Sequence, residues 1–127
     1  MSIRTPLAHA RGLGSAKSGT GHWWAQRLTA AALIPLVIWF VVSVVIMTGS
    51  GHDAAIAWIG NPLTAVLLVL LIVAAFHHMQ LGLQVVIEDY VHTRWAQIAL
   101  LLLIKGAAML FGATAIFAVL KIAFGSF

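Results

Sequence analysis

Three apolar runs, Leu28 to Thr48, Leu63 to Ile87 and Trp95 to Phe124, each reach the roughly 20 residues that an α-helix needs to cross a bilayer. In hydrocarbon no water can satisfy a backbone N–H or C=O, so such runs are stable only as unbroken helices. Composition excludes a water-soluble shell, because 62% of the 127 residues are hydrophobic and only 8% are charged, against about 25% charged in a soluble domain. The sequence therefore predicts an all-α membrane protein. Its three transmembrane helices cover about 27–48, 62–90 and 95–124, behind a basic segment 1–26. Most of the length is used in spanning, so any chemistry sits in or beside the membrane.

The first run is longer than the apolar part of a signal peptide and reads as a retained span; an organellar presequence is the other reading of its Ser/Gly-containing leader. Four cations, Arg4, Arg11, Lys17 and Arg27, precede or open that run. They supply much of the net charge of +4 and read as a topology signal, so no nucleic-acid partner is expected. Asn61-Pro62 is a helix start, while Glu88, Asp89, His92 and Arg94 stop the second run and leave room only for a short connection. Spans two and three are thus an antiparallel hairpin. The positive-inside rule puts the N-terminus and the Glu88–Arg94 loop on the cytoplasmic or matrix side and the C-terminus outside. Trp23, Trp24 and Trp95 then fall at the inner interface. Trp58, on a short interfacial helix, and Trp39 lie nearer the outer one.

Ionisable side chains inside a membrane are costly, and each one is a functional candidate. With no cysteine, the available metal ligands are histidine and carboxylate. His78 lies near the middle of the second span, with Gly82 and Asp89 about 40° and 20° from it around the helix, so the three share a face; His77 points about 100° away. A glycine one turn from a mid-membrane imidazole leaves room for a flat macrocycle, and imidazole is a common axial ligand of haem iron. A hydrogen bond to a neighbouring helix is the competing explanation of His78. Arg27 suits haem propionates or anionic headgroups, with snorkelling as the plain alternative. Asp89 and Tyr90 place a carboxylate and a phenol where an apolar ring can enter from lipid, or simply end a helix. Lys105 reads as snorkelling or as a contact with a partner subunit. The small residues of span three, among them Gly106, Ala108, Gly112 and Ala113, favour close helix contact.

His78 followed by Gly82 and then Asp89-Tyr90, together with Arg27-Leu28-Thr29-Ala30 at the head of span one, resembles the hydrophobic membrane-anchor subunit of succinate dehydrogenase, the small anchor chain of respiratory complex II. The three-span layout is similar too. The sister cytochrome subunit carries a His-Arg pair at the head of its first span, where this chain has Gln26-Arg27. The resemblance implies a chain that catalyses nothing alone. It would dock a flavoprotein and an iron–sulfur subunit and pair with a cytochrome b556 subunit in a bacterial inner membrane, or less readily a mitochondrial one. It further implies that His78 is an axial ligand of a shared haem b, that Arg27 contacts a propionate, and that Gly82 packs the macrocycle. Tyr90, with Asp89 beside it, would bind ubiquinone, the electron acceptor of this tricarboxylic acid cycle enzyme. Two rivals stand beside this reading: a small transporter or channel subunit with a His77, His78 and Lys105 proton relay, and a haem-free fumarate reductase anchor.

Overall fold

The computed structural model describes residues 6–7 and 19–125. Four helices follow in order: α1 (Gly19–Met47), α2 (His52–Gly60), α3 (Pro62–Tyr90) and α4 (Arg94–Ala123). Three of them, α1, α3 and α4, are long and apolar enough to cross a membrane. At 1.5 Å per residue, the 29 residues of α3 span about 43 Å, longer than a hydrocarbon core of about 30 Å. Their ends therefore reach into both headgroup layers.

The expected boundaries of α3 and α4 hold within one residue. By contrast, α1 starts at Gly19, eight residues before the expected Arg27. Hydropathy marks where hydrocarbon begins, and a helix can continue beyond that through the interface. The basic segment 1–26 is otherwise mostly outside the described residues, as are Arg4, Arg11 and Lys17. Pro35 sits inside α1, where it removes the N–H that would bond the carbonyl of Ala31.

Local chemistry explains the remaining ends. The Asn61 side chain accepts from the backbone N–H groups of Leu63, at 3.0 Å, and Thr64, and Pro62 sits at the first helical position, where its missing N–H costs nothing. At the other end of α3, the Val91 N–H still bonds the Ile87 carbonyl at 2.9 Å. Only Val91, His92 and Thr93 separate α3 from α4, so the two form the expected hairpin. The turn between α1 and α2 carries Gly49 at φ 85° and Gly51 at φ 86°, a region that favours glycine.

Packing centres on α3, which lies against α1 and α4, while α2 rests on α3 and α4. A small cluster of Ala65, Leu68 and Val119 is covered by Trp39, Phe40 and Trp58. There the Trp39 and Trp58 rings stack with centroids 5.6 Å apart. Of the small residues in α4, Ala108 and Gly112 are buried, and Gly112 faces the Phe76 ring. Gly106, in contrast, is exposed with open space beside it. Most large apolar side chains are turned outward, including Ile46, Leu102 and Phe111, as a surface bathed in lipid or covered by other membrane helices requires.

Candidate functional site

His78 occupies the face of α3 turned to α1. Its Nδ1 lies 3.0 Å from the hydroxyl of Thr29, and that hydroxyl is also 2.7 Å from the Ala25 carbonyl and 3.1 Å from the Gln26 carbonyl. Bonds of this kind between membrane helices average about 0.6 kcal/mol. That is too little to hold α1 in place, so the contact matters more for ring orientation than for stability. The expected bond to a neighbouring helix is therefore real, and it uses one ring nitrogen. Nε2 has no hydrogen-bond partner among the described residues.

His78 also lines an open groove of about 390 Å³ with Ala30, Leu33, Ile34, Val37 and Ile38 of α1. The wall is apolar apart from the imidazole. One turn along α3, a side chain built on Gly82 would meet nothing within 4 Å, so the space predicted beside the histidine exists. An imidazole with one nitrogen fixed and one without a partner, set in an apolar groove beside a bare glycine, fits one side of a haem pocket.

His77 faces elsewhere. It lines a groove with Leu28, Thr29 and Ala32 on one side and one with Gln80, Ala108 and Gly112 on the other. Lys105 is exposed on α4. Among the described residues no hydrogen bond joins His77, His78 and Lys105, and no group of three or more His, Cys, Asp or Glu side chains is placed to hold a metal.

Arg27 lies exposed two residues before Thr29, its guanidinium carbon 5.4 Å from the centroid of the Trp23 ring. Asp89 and Tyr90 end α3 at the same extremity of the bundle, and Tyr90 is 79% exposed. Their neighbour Glu88 accepts a hydrogen bond from Gln84 at 3.0 Å. Neither Arg27 nor Asp89 has an ion-pair partner among the described residues. Eleven residues separate His78 from Asp89, or about 16 Å along the axis. The candidate residues thus form two stations on one helix, not one pocket. A groove of about 350 Å³ at the other end, between α3 and α4, is lined by apolar residues such as Val66, Leu70 and Leu120 and offers no polar group for chemistry.

Sequence reasoning quoted Thr29 within its motif but gave it no role. It also passed over His22 and Gln26, which precede Thr29 by seven and three residues on the same face of α1. The His22 Nε2 and Gln26 Oε1 atoms are buried without hydrogen-bond partners. A polar stripe at helical spacing, His22, Gln26 and Thr29, was the available signal.

Three spans with little internal core, a mid-membrane histidine on an apolar groove and a phenol and carboxylate at one end define a small integral-membrane subunit built to be covered by neighbours. The chain belongs to the succinate dehydrogenase/fumarate reductase transmembrane subunit family, whose model matches residues 1–122. It is 31% identical over 103 residues to the succinate dehydrogenase hydrophobic membrane anchor subunit of Rickettsia bellii (strain RML369-C), covering 81% of this chain and 82% of that one. The equivalent subunit of Paracoccus denitrificans is 34% identical over 90 residues, 71% of this chain and 70% of that one. The succinate dehydrogenase membrane anchor subunit of Reclinomonas americana is 31% identical over 96 residues, 73% and 80% of the two chains. No solved structure matches the chain.

Proposed function

We propose that this chain anchors a succinate:quinone oxidoreductase in a bacterial inner membrane, holds one side of a haem b site through His78, and forms part of a ubiquinone site through Tyr90 and Asp89. The observation that supports it most is His78 itself. An imidazole deep in a span, with Nδ1 engaged by Thr29, keeps Nε2 for a ligand in the groove beside Gly82. When bound, a haem supplies a one-electron redox centre close to the quinone.

The chain's own residues then have separable tasks. His78 offers Nε2 to the iron, and the apolar side chains of Ala30, Ile34 and Ile38 keep water from the groove. The Arg27 guanidinium suits a propionate, two hydrogen bonds at once. The Tyr90 hydroxyl donates to a quinone carbonyl oxygen, and Asp89 stands beside it to hold or pass a proton as the quinone takes up two electrons and two protons. Flavin and iron–sulfur chemistry belong to soluble partner subunits docked at the Arg27 and Tyr90 end, and a cytochrome b556 subunit contributes the second iron ligand.

Affinity purification of the tagged chain from its native membrane tests this. A flavoprotein, an iron–sulfur subunit and a second hydrophobic subunit should co-purify, with a low-spin haem spectrum. Co-purification of the soluble subunits without haem would instead assign a haem-free fumarate reductase type of anchor. Isolation with neither would remove the reading.

A further inference from the structure

We infer that Thr29 is the positioning residue for His78: its hydroxyl fixes the imidazole as the Nδ1–H tautomer and orients the ring, leaving the Nε2 lone pair for a ligand. The argument is a count of protons. A threonine hydroxyl has one hydrogen and two lone pairs. The Thr29 oxygen lies 2.7 Å from the Ala25 carbonyl oxygen, 3.1 Å from that of Gln26 and 3.0 Å from His78 Nδ1. Both carbonyls can only accept. If the hydroxyl hydrogen pointed at Nδ1, two lone-pair-bearing oxygens would face each other at 2.7 Å with nothing between them. The hydrogen is therefore given to Ala25, the usual back-bond of a helical threonine. Nδ1 must then carry the hydrogen and donate it to Thr29.

Placement within α1 makes this an anchored acceptor. The Thr29 hydroxyl is held by its own helix backbone, and it meets a residue 49 positions away on α3. The ring of His78 is thereby pinned across the boundary between two helices. A donated Nδ1–H also makes the opposite nitrogen more basic, which strengthens it as a metal ligand and favours the more highly charged metal.

The consequence for a haem rests on the proposed ligation by His78, and the test separates the two. Thr29→Val keeps the size and branching of the side chain and removes the acceptor, whereas Thr29→Ser keeps the acceptor. Both are made in the assembled complex, with haem content, low-temperature EPR and a haem redox titration as readouts. Thr29→Val should retain haem on the order of 10- to 100-fold more weakly. Any haem that remains should show shifted g values and a higher midpoint potential, because a less basic ligand favours the ferric state less. Thr29→Ser should restore all three. Should Thr29→Val fail to assemble, Thr29→Ala is read by the same criteria against Thr29→Ser. A Thr29→Val or Thr29→Ala complex with wild-type haem content, g values and potential would overturn the inference alone, as would a Thr29→Ser complex as defective as Thr29→Val. A wild-type complex without haem, or one whose spectrum survives His78→Ala, would overturn the ligation reading and the inference with it.

Discussion

His77 and His78 are adjacent and chemically alike, yet the fold gives them different surroundings: Thr29 holds His78, and His77 lies exposed between two grooves. Their substitutions should therefore differ. In the assembled complex His78→Ala should abolish the low-spin bis-imidazole spectrum or sharply shift the haem potential, and His77→Ala should leave both close to wild type; absorbance and redox titration decide. Tyr90→Phe removes one neutral hydrogen bond, about 1 kcal/mol, so quinone affinity should fall about fivefold while assembly persists. Equal loss of assembly and activity would make the hydroxyl structural. For Arg27, if it holds a propionate, the alanine variant should lose more haem than the lysine variant, which keeps the charge but not the fork; identical haem content in both and in wild type would leave Arg27 to its Trp23 contact and the headgroups. The shared face of His78, Gly82 and Asp89 was legible because it follows from the helix repeat alone. Thr29 was not, because nothing local in a sequence pairs residues 49 positions apart; that needs the register between two helices.

Two glycines in the spans separate packing within the chain from packing against something else. Gly112 of α4 faces Phe76 of α3, and a Cβ there would sit 3.6 Å from the ring, ordinary contact. Gly112→Ala should thus be tolerated, whereas Gly112→Leu should push α4 off α3 and reduce thermal stability of the chain in detergent. Gly82 has open space, so Gly82→Leu should leave that stability unchanged and lower haem content in the complex. Normal haem in Gly82→Leu would leave the groove without its proposed occupant. Element ends were legible where capping chemistry marks them, as at Asn61-Pro62 and the Glu88–Arg94 turn. The start of α1 was not, since Gly19 to Gln26 is helical without being continuously apolar.

Orientation across the membrane belongs to the molecule as a whole. The Lys and Arg distribution, heavy before Leu28 and absent between α1 and α3, predicts that reporters at the N-terminus and near His92 register inside, and those at His52 and Phe127 outside. Phe127 lies beyond the described residues. An outside reporter at His92 would invert the molecule and move Tyr90 away from the proposed soluble partners. The outward-turned apolar surface of α1, α3 and α4 has a consequence of another kind, for how such a chain changes over generations. Hydrocarbon does not tell leucine from isoleucine, valine or phenylalanine, so at a lipid-facing position such substitutions pass unselected. A chain with this little interior keeps its shape through substitutions that would empty or overfill the core of a soluble protein. Identities of 31% and 34% to the Rickettsia bellii and Paracoccus denitrificans subunits are what such drift produces. The heritable specification of the molecule then rests on few letters: the polar groups that have one workable neighbour, and the glycines that have no room for a side chain.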